Sequence, residues 1–175
     1  MSAPVLALLS GLPGTGKTTL ARAIARRLGL PLLAKDRIQS ALRRHGLAER
    51  ATADGYHLML DLADEQLELG IGVVLDAVFP FTEFRGAARE IAEHRGGCFS
   101  PIFCFCSDRV QWQERITGRR PLVPEWTPVA WAEVERLQAI FEPWDSKEAL
   151  CLDSVHAPEV NLAIALAWLR DCQRI

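Results

Sequence analysis

Along the chain, short apolar runs alternate with longer stretches whose apolar residues recur at helical spacing. Val5–Leu9 reads as a first strand, and Lys17–Leu28 as a helix closed by Gly29 and Pro31. Leu32–Ala34 is a short strand, followed by a helix over Arg37–Arg44 that closes near Gly46. Asp54 is a candidate cap for the next helix, which runs to Leu69 and stops at Gly70. Val73–Leu75 is a continuous, β-branched run, as suits a parallel strand covered on both faces. Thr82 is placed to cap a helix through His94, and Ile102–Phe105 reads as a fourth strand. Ser107 is a candidate cap for a helix reaching Thr117, and Thr127 with Pro128 opens a helix to Phe141. Ala149–Leu152 is a fifth strand, and Pro158–Cys172 a closing helix with an apolar face.

This alternation predicts an α/β fold: a three-layer α/β/α sandwich on a five-stranded parallel sheet. The length of 175 residues suits a single domain over 1–175, and no internal repeat or long linker interrupts it. Arg119 and Arg120 lead into Pro121, Pro124 and Pro128, so residues 119–128 are expected to be a loop and 115–128 a mobile lid.

Composition narrows the function classes. Hydrophobic residues are 49% and charged residues 24% of the chain, an ordinary globular balance. The 20 basic and 22 acidic residues give a net charge of −2, so stable duplex nucleic-acid binding is not expected. A local basic groove for a short single-stranded end remains compatible with that charge. No apolar run reaches the ~18 residues needed to cross a bilayer, and the first residues lack a charged n-region and a cleavage signal. A cytoplasmic location without membrane attachment is the expectation. Oligomeric state is not legible. The five cysteines, 98, 104, 106, 151 and 172, are odd in number, which argues against a disulfide framework; Cys104 and Cys106, two apart in an apolar run, lack metal-ligand spacing and are expected to be buried reduced thiols.

The chemistry-bearing motif is Gly11-Leu12-Pro13-Gly14-Thr15-Gly16-Lys17-Thr18, which fits G-x-x-x-x-G-K-[ST]. It follows a predicted strand and opens a predicted helix, the context that lets backbone N–H groups and a helix N-terminus surround phosphates. Gly11 to Thr19 are therefore assigned to the nucleotide, with Lys17 reaching the β- and γ-phosphates and Thr18 offering a hydroxyl to Mg²⁺. A GTPase would need an Asn-Lys-x-Asp segment, and none occurs.

The layout resembles the small P-loop kinases: nucleoside monophosphate, gluconate and shikimate kinases, chloramphenicol phosphotransferase, zeta toxins and polynucleotide kinase. The resemblance covers most of the chain and implies strand order 2-3-1-4-5, with ATP and Mg²⁺ as cofactors. In the chloramphenicol, zeta-toxin and polynucleotide kinase groups an aspartate after the second strand receives the acceptor's proton. Asp36 in Lys35-Asp36-Arg37 matches that place, and Arg37 is a candidate for an anionic group on the acceptor. Asp36 also suits a helix cap.

Val73-Val74-Leu75-Asp76 ends in an acid where this class holds Mg²⁺, so Asp76 is a metal and substrate candidate; a turn-capping acid is the alternative. Asp76-Ala77-Val78-Phe79-Pro80 is similar to an adenylate kinase segment but lacks its glycine and its immediate arginine. Arg85 is the nearest arginine and a candidate for the substrate. Arg119, Arg120 and Arg115 match lid arginines that close over the transferred phosphate, or serve as cations at a helix end. Trp112, Trp126, Trp131 and Trp144 with Phe141 are open between an acceptor pocket and core contacts.

The resemblance implies transfer of the γ-phosphoryl of ATP to a hydroxyl of a small molecule or a 5′-hydroxyl end. The acceptor partner is a small or nucleotide-like molecule. The competing readings are a nucleotide-switched ATPase that signals to a partner and a toxin-like kinase of nucleotide sugars.

Overall fold

The computed structural model describes residues 3–47, 52–118 and 129–172. Its strands are β1 (Val5–Ser10), β2 (Leu32–Ala34), β3 (Val73–Asp76), β4 (Cys98–Phe105) and β5 (Leu150–Asp153). Its helices are α1 (Lys17–Leu28), α2 (Lys35–Arg44), α3 (Thr52–Glu68), α4 (Thr82–His94), α5 (Arg109–Thr117), α6 (Trp131–Ile140) and α7 (Pro158–Cys172). The strands form one parallel sheet in the order β2-β3-β1-β4-β5, as expected.

β1 is buried along its whole length because helices cover both faces of the sheet, and its residues divide between two cores. Val5, Ala7 and Leu9 point to one face, against Leu20 and Ile24 of α1 and Ala165 and Leu169 of α7. Leu6 and Leu8 point to the other, against Met59, Ala63 and Leu67 of α3 and Ala88 and Ala92 of α4. The period of two in a fully apolar strand thus builds the three layers. A smaller cluster of Leu12, Cys106, Trp112, Ile116 and Val134 lies beyond the sheet's carboxyl end.

Register places the site. Leu9 and Ala34 both pair with Asp76, so the ends of β1, β2 and β3 lie level. The phosphate loop, Asp76 and the start of α2 therefore emerge together from the carboxyl end of the sheet.

Several local expectations change. Asp108, not Ser107, caps α5, its carboxylate accepting the N–H groups of Val110 and Gln111. Two adjacent residues of capping type compete there, and the N–H geometry of the first turn selects the second. Thr82 is the first residue of α4 rather than its cap; Glu142, distant in sequence, accepts the Thr82 N–H. Asp54 lies within the first turn of α3. β4 begins four residues earlier than expected, at Cys98, because Cys98 to Pro101 pair with Val5 to Leu8.

Cys104 and Cys106 are buried free thiols, as expected, and Cys151 is free and exposed. The expectation against disulfides does not hold. Cys98, at the start of β4, and Cys172, at the end of α7, form a disulfide pair with a Cα–Cα distance of 6.0 Å. No helix among the described residues is long and apolar enough to cross a membrane.

Candidate nucleotide and phosphoryl-transfer site

The phosphate loop leaves β1 through Gly11, whose φ is 144°. A Cβ there would lie 2.2 Å from the carbonyl oxygen of Cys104, so only glycine lets the loop pass this close to β4. The Thr15 hydroxyl donates to the Leu12 carbonyl at 2.8 Å, bracing the loop from within. Gly16 is the N-cap of α1 and carries no side chain to cap it, so the first-turn N–H groups are left to face an anion. Lys17 is only 8% exposed, and its Nζ donates to the Leu12 carbonyl at 3.4 Å.

A cavity of about 390 Å³ opens over this loop. Gly14, Thr15, Gly16, Lys17, Thr18 and Thr19 line one side of it. The rest of its lining includes Arg22, Cys104, Arg115, Ser154, His156 and Asn161. Burial pushes the Cys104 thiol up to about 12, with Asp76 adding and Lys17 opposing, so it stays an unreactive wall.

Asp76, at the end of β3, is 6% exposed. Burial raises its pKa, opposed by the charge of Lys17 and a hydrogen bond with the Thr18 side chain. Its Oδ1 has no hydrogen-bond partner. A buried carboxylate with one satisfied and one unsatisfied oxygen, bonded to a threonine hydroxyl, suits a hard cation that takes a few protein oxygens and completes its shell with phosphate and water. Thr18 and Asp76 would hold Mg²⁺, which would supply charge neutralisation at the phosphate oxygens.

Asp36 lies half-buried in the first turn of α2; Ala34 is the N-cap, so Asp36 is not a cap. It follows Ala34, whose Cα pairs with Asp76 across β2 and β3, so the two carboxylates leave the same end of the sheet. Arg37 is exposed.

Arg85 is not placed as expected for a substrate ligand. It is 4% exposed, and its guanidinium donates to the carbonyls of Phe79, Pro80, Glu142 and Pro143. It clamps the segment after Asp76 to the segment after α6. Arg115 lines the cavity and donates to the Ser154 hydroxyl at 2.8 Å and the Ser154 carbonyl at 2.9 Å, as well as to the Gln111 side chain. Arg119 and Arg120, and the lid beyond Gly118, lie outside the described residues, as does Trp126.

Two contributors, Lys35 and Tyr56, carry no sequence signal strong enough to single them out, and the sequence leaves Trp112 open between pocket and core. Lys35 sits with its Nζ 5.4 Å from the Tyr56 ring centroid; burial lowers its pKa and Asp36 raises it. The Tyr56 hydroxyl accepts the Phe79 N–H at 3.0 Å. The Trp112 indole N–H donates to the Pro13 carbonyl of the phosphate loop at 2.7 Å.

The model of an AAA domain family, AAA_33, matches residues 6–144. The chain belongs to this family. The AAA_33 domain here has the P-loop kinase fold, since it superimposes over nearly its whole length on solved kinases. A gluconokinase from Sinorhizobium meliloti 1021 gives a TM-score of 0.70 at 21% identity, covering 99% of this chain and 96% of the other. The Mycobacterium tuberculosis APS kinase CysC, solved in complex with AMPPNP and APS, gives 0.69 at 19% identity, covering 97% and 99%. Among curated proteins, "Uncharacterized protein Rv2004c" of Mycobacterium tuberculosis (strain ATCC 25618 / H37Rv) is 34% identical over 127 residues, 65% of this chain. The match spans 25% of that relative's length.

Proposed function

We propose that this AAA_33 chain transfers the γ-phosphoryl group of ATP to a hydroxyl of a small molecule or of a 5′-hydroxyl end, acting with Mg²⁺ in the cytoplasm. The observation that carries the reading is the meeting of Lys17, the Thr18–Asp76 pair and Asp36 at one end of the sheet. A simple anion-binding loop has no need of two carboxylates beside it.

In this reading the loop amides and Lys17 hold the β- and γ-phosphates in place. Asp36 accepts the proton of the acceptor hydroxyl as that oxygen bonds to the γ-phosphorus. The bond from phosphorus to the β–γ bridging oxygen breaks, and ADP leaves with that oxygen. Such chemistry is mostly positioning and charge neutralisation. The gluconokinase and the APS kinase share the fold and are kinases by name, which supports phosphotransfer in general.

The test is a screen of sugars, antibiotics, nucleosides and 5′-hydroxyl oligonucleotides, read by ADP release. ADP release near zero without acceptor, stimulated by one class of acceptor and abolished by Lys17→Ala, is the expected result. Rapid ADP release independent of every acceptor points to the nucleotide-switched ATPase. Growth arrest on expression, relieved by Asp36→Asn, points to the nucleotide-sugar kinase.

A further inference from the structure

The phosphate loop is gripped from outside by α5. Trp112, 7% exposed, donates its indole Nε1–H to the Pro13 carbonyl at 2.7 Å. Ile116, one turn further along α5, walls the next residue. A Cβ on Gly14 would lie 2.7 Å from Ile116 Cδ1 and 3.1 Å from Trp112 Cδ1, and Gly14 has φ of 82°. The Pro13–Gly14 peptide is therefore held at its carbonyl and crowded at the following α-carbon.

A trans peptide is planar, and its C=O and the following N–H point in opposite directions. All described peptides here are trans. Fixing the Pro13 carbonyl toward α5 turns the Gly14 N–H away from α5. Gly14 also lines the cavity above the loop. A loop that binds anions does so by the direction of its N–H groups, so the peptide's rotation about its own axis matters.

We propose that Trp112 is a positioning residue whose indole N–H fixes the Pro13–Gly14 peptide so that the Gly14 N–H is presented to the terminal phosphates of the nucleotide. This rests on the phosphate-loop reading above. The same bond makes α5 responsive to the phosphates, because a coupling between two groups acts in both directions. α5 also carries Arg115 into the cavity wall. Loading the loop would thereby bias the position of Arg115.

Trp112→Phe keeps an aromatic ring in the cluster with Ile116 and Val134 and removes the donor together with part of the indole's volume. ATP and AMP affinities are measured by calorimetry with Mg²⁺ present, beside thermal unfolding. Loss of one aligned, charge-assisted contact should weaken ATP about tenfold. AMP, which lacks the terminal phosphates, should change by about twofold or less. A purely structural role would weaken both nucleotides alike, and that result overturns the proposal, as does unchanged ATP affinity.

The wild-type protein gives a measurement that does not depend on the variant folding. It has five tryptophans, hence five indole N–H resonances. At least one should shift along ATP's own saturation curve and stay still with AMP; five unmoved resonances overturn the proposal. If wild type fails to bind ATP at all, the phosphate-loop reading falls with it. If wild type binds and Trp112→Phe binds equally, only the positioning role falls.

Discussion

The guanidinium of Arg85 lies 4.3 Å from the ring centroid of Trp144, and 4.9 Å from that of Phe141. Trp144 in turn donates its indole N–H to the Ser10 hydroxyl at 3.0 Å, and that hydroxyl donates to the Val78 carbonyl at 2.9 Å. One buried cation thus joins the end of β1, the segment after β3 and the segment after α6.

Arg85→Lys tests this joint. Lysine supplies a point charge without the fork that reaches four carbonyls, and leaves several buried acceptors unpaired. The cost should be about 2–4 kcal/mol. For a chain of this size that lowers the melting temperature by on the order of 10 °C. A variant that melts like wild type but shows a raised acceptor KM would return Arg85 to the acceptor site.

Tyr56 offers a pH signature. Its hydroxyl is buried and accepts the N–H of Phe79, a non-glycine residue held at φ 48°. Burial pushes the phenol up to about 12, with the Phe79 hydrogen bond opposing and Asp36 adding. Below pH 10 the phenol is neutral in both folded and unfolded chains. Between pH 10 and about 12 only the unfolded chain ionises, so stability falls across that window, by of order 2–3 kcal/mol. Tyr56→Phe should lose about 1–2 kcal/mol at pH 7, because the Phe79 N–H loses its acceptor, yet show a shallower alkaline decline. Urea unfolding at pH 7, 10 and 11.5 reads both effects. Equal slopes for the two proteins would remove Tyr56 from the titration.

What the chain revealed beforehand follows from the range of each interaction. The phosphate loop was legible because its function needs residue types at fixed local spacing, Gly11 to Thr18. The sheet was legible because strands buried on both faces leave apolar runs such as Val5–Leu9. Arg85 was misplaced because an arginine near a site looks the same in sequence whether its fork meets a ligand or backbone carbonyls 57 and 58 residues away. The Cys98–Cys172 pair spans 74 residues, and no local pattern marks such a partner. Trp112 is legible as a candidate aromatic but its role is not, because its partner is a backbone carbonyl 99 residues distant.

Asp36 and Asp76 differ in surroundings, and Asp36→Asn against Asp76→Asn should separate their roles. Asp36 is half-buried on α2, while Asp76 is buried and bonded to Thr18. If Asp36 serves as the proposed base, Asp36→Asn removes its basic lone pair, and transfer should fall by ~10²–10⁴ with Mg·ATP affinity nearly unchanged. Asp76→Asn removes charge beside the phosphates, so it should weaken Mg·ATP and leave Mg²⁺-free nucleotide binding much less affected. Titration of ATP with and without Mg²⁺, beside single-turnover transfer, checks both. If Asp76→Asn alone abolishes transfer with Mg·ATP affinity intact, the general base is Asp76.

The arginines before and within the expected lid should divide by kinetic effect. Arg115 is already anchored: three of its contacts run to Ser154 and Gln111, and it forms part of the cavity wall with His156 and Asn161. A residue held there before any nucleotide arrives contributes equally to ground and transition states, so Arg115→Ala should raise KM for ATP with little change in kcat. About two hydrogen bonds to the β5–α7 connection are lost, which should also lower folding stability by about 1–3 kcal/mol. We propose the opposite pattern for Arg119 and Arg120. Arginines that meet charge only as the phosphoryl group moves act on kcat, and in related chemistry such groups are worth ~10³ or more. Arg119→Ala or Arg120→Ala should therefore lower kcat strongly while ATP affinity holds. Lysine at either position should restore only part of the rate, since it lacks the bidentate fork. Steady-state kinetics with a responsive acceptor, read beside direct ATP binding, distinguish the two patterns. If Arg115→Ala lowers kcat and the other two variants transfer phosphate at wild-type rates, then Arg115 meets the transferred group and residues 119–128 carry no catalytic arginine.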